Sequence, residues 1–189
     1  MSAERISLFL QRVKFDGFKV RQMFTKVTSG DTSGLDPEQL HQVLVKMGFL
    51  LPHATSVLVQ ALFAAIDING TFRITWAEFR NNFLNPLSSS NRQAKLDFAF
   101  RAFDYQQTGS VSRDAFVELV KELCRYMLRP SSEYKERLAE MGRVACPANA
   151  STIALKDFVA ASETSPLALA LLSFGTGSIM FSTYCLRFG

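Results

Sequence analysis

The residues best suited to chemistry lie in one stretch, Asp67-Ile68-Asn69-Gly70-Thr71-Phe72-Arg73-Ile74-Thr75-Trp76-Ala77-Glu78-Phe79. Asp67, Asn69 and Thr71 place a side-chain oxygen at every second position, the Arg73 carbonyl follows, and Glu78 closes the set at position twelve. Calcium takes about six to eight oxygens, and a loop of this spacing with a bidentate Glu at its end supplies most of them. The candidate metal ligands are therefore Asp67, Asn69, Thr71, Arg73 and Glu78, and the candidate cofactor is a single Ca2+ ion. One defect is Phe72 at position six, where the sharp turn normally calls for Gly. A side chain in that backbone region costs about 1 kcal/mol or more. Gly70, two residues earlier, can absorb only part of the turn. Thr75-x-x-Glu78 is also a capping box, so Glu78 has a second explanation that needs no metal.

Three weaker copies of the stretch recur at intervals of roughly forty residues, as a repeated supersecondary unit would. The first, at 28–39, carries Thr28, Gly30, Thr32 and Gln39 in the ligand places and has no carboxylate at any of them. Its acidic residues read as a helix start instead, with Asp36 as N-cap, Pro37 at the first helical position and Gln39 three residues after the cap. The third, at 104–115, keeps Asp104 and Gly109 but ends on Ala115. Asp114 is one residue out of register, about 100° away around a helix. The fourth, at 146–157, offers Cys146, Ala148 and Ala150 and only Asp157 at its end, so neither loop is expected to hold calcium.

The elements that must position these loops follow from apolar spacing. Aligning the four copies on their single mid-loop apolar residue makes Leu35, Ile74, Val111 and Ile153 equivalent, and five residues later stand Leu40, Phe79, Phe116 and Phe158. Aromatic-rich helices are expected before each loop, over 15–27, 54–66, 94–103 and 134–144, because apolar residues recur there at spacings of three and four. The turn-rich run Asn85-Pro86-Leu87-Ser88-Ser89-Ser90-Asn91 reads as a linker over 86–93 between two lobes, 15–85 and 94–163. The expected fold class is all-α: two lobes of paired helix-loop-helix units, an amphipathic N-terminal helix over 1–14, and an apolar C-terminal helix.

That last segment has a distinct character. No charged residue occurs over 164–186, and the run from Leu167 to Leu186 is about as long as a helix needs to cross a bilayer. Gly175 and Gly177 suit close helix contact in a membrane. A segment at 166–188 that anchors the chain in a membrane is one expectation; a helix or extended tail lying in an apolar groove of its own lobe or of a partner is the other.

At 189 residues, 48% hydrophobic and with 17 Phe, the chain can bury an adequate core without staples. Its net charge of +4 is dispersed, with no interleaved aromatic and basic stripe, so nucleic acid is not an expected partner. The three cysteines, Cys124, Cys146 and Cys185, have neither metal-ligand spacing nor the look of a disulfide framework, which fits a reducing, intracellular compartment. His41 and His53 lack a second ligand or a base nearby in sequence. Ser2 excludes N-myristoylation. The basic, amphipathic start MSAERISLFLQRVKF reads as a packed helix, with a mitochondrial targeting peptide as the competing reading.

The run Lys95-Leu-Asp-Phe-Ala-Phe-Arg-Ala-Phe-Asp104, followed by Thr108-Gly109-Ser110-Val111-Ser112, resembles the four-EF-hand superfamily, nearest the calcineurin B and calcineurin-B-like branch. The likeness covers about 15–160. It implies paired hands whose apolar grooves grip a helix of a larger protein subunit, and no enzyme activity. The family's ligands carry over only at Asp67, Asn69, Thr71 and Glu78, and singly at Asp104. The expected function is thus a non-catalytic structural or adaptor subunit in a membrane-associated complex, largely independent of calcium. The alternative is a calcium sensor or regulatory subunit that binds one ion through the second loop.

Overall fold

The computed structural model describes residues 16–31, 33–50, 52–127 and 151–164. The expected helix at 134–144, the N-terminal segment and the apolar segment at 166–188 lie outside the described residues. Helix α1 is Gly17–Val27, capped by the Asp16 carboxylate, which accepts from the Lys19 N–H. Helix α2, Pro37–Lys46, starts as its sequence dictates: Asp36 accepts from the Gln39 N–H, Gln39 accepts from the Asp36 N–H, and Pro37 opens the first turn. Helix α3, Ser56–Ile66, is capped by Thr55 and buries nearly its whole apolar surface, Leu58, Val59, Ala61, Leu62, Phe63, Ala65 and Ile66.

The next helical stretch, α4, begins as Trp76–Glu78, widens into a π-helix over Phe79–Leu84 and narrows again over Asn85–Ser88. The Asn85 N–H reaches the Arg80 carbonyl five residues back, and Pro86, at the start of the narrower turn, has no N–H to offer the Asn82 carbonyl. The expected linker at 86–93 is corrected accordingly: Asn85–Ser88 is helical and buries Leu87, and α5, Arg92–Phe103, starts after a break at 89–91. A Pro tolerated at the start of a helical turn had been legible only as a turn signal.

Strand β1, Ser110–Ser112, leads into α6, Arg113–Met127, and strand β2, Thr152–Ala154, leads into α7, Leu155–Thr164. The all-α expectation therefore holds as a mainly helical fold with one small antiparallel sheet, in which Val111 faces Ile153. Leu35 and Ile74 form the matching isolated bridge in the first half. The alignment of mid-loop residues holds in full. Leu35, Ile74 and Ile153 are completely buried and Val111 nearly so, as are Leu40, Phe79, Phe116 and Phe158 five residues on.

One continuous apolar core spans both halves. Phe24 meets Trp76 and Phe79, and Phe79 leans on Phe83. Phe83 touches Phe49 at 4.8 Å between ring centroids and Phe98 of α5 at 5.7 Å, carrying the aromatic chain across the division. Phe103, Phe116 and Phe158 close the second half. Helix α3 packs most extensively against α5, so the two halves share an interface instead of hanging on a linker.

Candidate functional site

Loop 67–78 hangs between the C-terminal end of α3 and the start of α4. Asp67 is 3% exposed, and its carboxylate is engaged with the loop backbone: Oδ1 accepts from the Thr71 N–H at 3.1 Å and Oδ2 from the Phe72 N–H at 2.8 Å. The Thr71 hydroxyl lies 3.3 Å from Asp67 Oδ1, 2.9 Å from Asn69 Oδ1 and 3.0 Å from the Arg73 carbonyl oxygen. Four of the five proposed ligands therefore converge around one point.

Glu78 does not join them. Its Oε2 accepts from the Thr75 N–H at 2.9 Å and from the Thr75 hydroxyl at 2.8 Å, while the Thr75 hydroxyl accepts from the Glu78 N–H. Both oxygens of Asp67 and Oε2 of Glu78 are thus engaged by hydrogen bonds within the loop. The oxygens of Asp67, Asn69 and Arg73 that would face an ion are here gathered on the Thr71 hydroxyl, and bringing Glu78 Oε2 to them would mean opening the cap. Among the described residues no group of three or more His, Cys, Asp or Glu side chains comes together to hold a metal.

The backbone of the turn explains what Phe72 costs. Gly70 has φ 67° and Phe72 has φ 58°, so both take the left-handed region, and Gly70 does not spare Phe72 from it. The Phe72 ring gains nothing from burial, being 80% exposed. Loop 104–115 repeats the design with better residues at position six. Asp104 Oδ1 accepts from the Thr108 N–H at 2.9 Å, Oδ2 accepts from the Gly109 N–H at 2.7 Å, and Gln107 and Gly109 have positive φ. In both loops the first Asp pegs the turn by taking two backbone N–H groups. This role gives Asp104 a structural reason that needs no metal, in a loop whose position twelve is Ala115.

Loop 28–39 is built otherwise. Thr28 is buried, its hydroxyl donating to the Thr25 carbonyl, and Asp31 accepts from the Ser33 N–H at 2.8 Å. The Ser33 hydroxyl, and after it the Ser33 N–H, lower the Asp31 pKa from its ordinary value. Loop 28–39 touches 67–78 at its edge. Arg73 reaches the Gly34 carbonyl at 3.4 Å and forms a half-exposed ion pair with Asp36 at 3.6 Å. His41 has a buried Nε2 with no hydrogen-bond partner among the described residues.

Three side chains not singled out from the sequence gather at the other end of the loop, on the last carbonyls of α3. Asn82 donates to Ile66, Arg101 to Ala65, and Gln107 to both Ala64 and Asp67. Burial pushes the Arg101 guanidinium below its ordinary value, with Asp97 working in the opposite direction. No protein-family model matches the chain, and no curated protein matches it either.

Proposed function

We propose that this protein is a non-catalytic EF-hand-like structural or adaptor subunit that grips a helix of a larger partner and does so largely without calcium. The observation that carries this reading is the position of Glu78. Its carboxylate serves as a helix cap for Thr75, so the loop is held by its own hydrogen bonds. Three further points support it. The Leu35–Ile74 bridge and the β1–β2 pair join the loops two by two, as in paired hands. Loops 28–39 and 104–115 lack the closing carboxylate at Gln39 and Ala115. A sensor needs an ion that discriminates between two states. Residues 164–186, without a charge, support attachment to a membrane-associated assembly. Among the described residues no helix is long and apolar enough to cross a membrane.

The alternative, a sensor using the second loop, is favoured by one observation, the convergence of Asp67, Asn69 and the Arg73 carbonyl around the Thr71 hydroxyl. Titration calorimetry of the full chain with calcium decides. The adaptor reading expects no heat at sub-millimolar calcium. Heat that disappears in Glu78→Gln establishes the sensor.

A further inference from the structure

A helix end leaves its last four carbonyls without intrahelical partners, and they are usually met by water, a glycine turn or a nearby basic side chain. Helix α3 has no basic residue in its last turn, and Asp67 follows it without a left-handed glycine. Its final carbonyls are met from a distance instead. Ala64 accepts from Gln107 Nε2 at 3.3 Å, Ala65 from Arg101 Nε at 3.2 Å, and Ile66 from Asn82 Nδ2 at 2.8 Å. Gln107 also reaches the Asp67 carbonyl, inside the candidate calcium loop, at 3.1 Å.

Arg101 does more than cap. Its Nη2 lies 3.4 Å from the Asn82 carbonyl in the π-helical part of α4, the carbonyl to which Pro86 can offer no N–H. One guanidinium from the second half therefore bridges two main-chain carbonyls, one on each helix flanking loop 67–78. We infer that Arg101 forms an intramolecular clamp by which the second half fixes the angle between α3 and α4, with Gln107 holding the α3 end against the second half, so that α3 and α4 open only when the second half lets go.

The clamp acts in one direction. In the repeat alignment Gln107 corresponds to Gly70, Arg101 to Ala64 and Asn82 to Leu119, none of which has a side-chain donor. The first half cannot hold the second in the same way. Opening of a helix pair is a change of interhelical angle, and a fork of donors fixed to the end of α3 and the middle of α4 opposes that change directly. The inference does not depend on the adaptor reading, since a calcium-responsive first pair would meet the same clamp.

Native-state hydrogen exchange on the full chain tests it, using Arg101→Leu, Gln107→Gly and, as a control on an exposed neighbour, Gln106→Ala. Gln107→Gly removes the donor while easing a residue held at φ 55°, so simple backbone strain predicts slower exchange and the clamp predicts faster exchange. The expected result is exchange about tenfold faster or more at amides 66–72 in both variants and at 79–84 in Arg101→Leu, with α2 and the control unchanged. Rates at amides 66–72 and 79–84 within about twofold of the parent in Arg101→Leu overturn the clamp. So does an acceleration spread evenly over all helices. If Arg101→Leu does not fold, Arg101→Lys, which keeps the charge and loses the two-armed fork, decides in its place by the same criterion.

Discussion

Leu35 and Ile74 exchange both of their backbone hydrogen bonds, Leu35 N–H to the Ile74 carbonyl at 2.8 Å and Ile74 N–H to the Leu35 carbonyl at 2.9 Å. This closes the loops of the first half against each other and leaves no room beside them. Gly34 stands at φ 104°, and a Cβ added there would lie 2.5 Å from the Ile74 oxygen and 2.7 Å from its carbonyl carbon. Both are backbone atoms in a buried bridge and cannot swing away. Gly34→Ala is therefore expected to destabilise the protein by about 2 to 4 kcal/mol, combining the clash with the strained backbone. Gly70→Ala, with nothing within 4 Å of the added carbon, is the comparison and should cost about 1 kcal/mol. Urea unfolding of the two variants checks the order.

Glu78 offers a second measurement. As a cap it contributes about 1 kcal/mol whether or not calcium is present. Glu78→Ala should then lower the unfolding midpoint by the same amount in calcium and in chelator. A loss confined to the calcium samples would mean that the carboxylate leaves Thr75 for the ion.

Phe72 and Gly109 occupy the same place in their loops, both with left-handed backbone, at φ 58° and 77°. Phe72→Gly relieves strain without losing packing, because the ring is 80% exposed, and is expected to stabilise by about 0.5 to 1 kcal/mol after the entropy of the added glycine is charged against it. Gly109→Ala should move stability in the opposite direction by about 1 kcal/mol. Thermal unfolding of the pair gives both signs in one experiment.

The loops show which parts of this molecule can be read from a sequence. The registers of Leu35, Ile74, Val111 and Ile153, and of the core residues five positions on, were legible because a buried position tolerates few residue types and the repeat displays the constraint four times. The two roles of Glu78 were also legible, and only geometry shows that it faces Thr75. Asn85-Pro86 was misread, since Pro marks both a turn and the first turn of a helix. Arg101 and Gln107 left no signal at all. Their acceptors are main-chain carbonyls, which every residue carries, so nothing in the spacing of side chains announces them.

Lys95 gives the protein an alkaline pH dependence. It is 2% exposed, and burial lowers its pKa from the ordinary 10.5. Between the folded value and 10.5 the unfolded chain binds more protons than the folded one, so this group makes stability rise with pH through that window. Below the window the folded protein holds the group charged where burial disfavours the charge. Lys95→Met should flatten the rise, as measured by denaturant midpoints from pH 7 upward. A profile unchanged by the substitution would mean that the ammonium is compensated in place.

Phe83 carries the last prediction, because it stands where the halves meet. Its ring contacts Phe49 of the first half, Phe79 one turn back on its own helix and Phe98 of α5, and it is completely buried. Truncation to Ala should cost about 3 to 5 kcal/mol from the cavity alone. The manner of unfolding is the sharper readout. With one core through both halves, the parent chain should lose its Trp76 fluorescence, a probe of the first half, together with its helical circular dichroism in a single transition. Phe83→Ala removes the ring that joins Phe49 to Phe98 while leaving Phe103, Phe116 and Phe158 packed on one another. The Trp76 transition is then expected at lower denaturant than the loss of helix. If the two probes stay coincident in the variant, the halves are coupled chiefly through α3 against α5, and the aromatic chain is secondary.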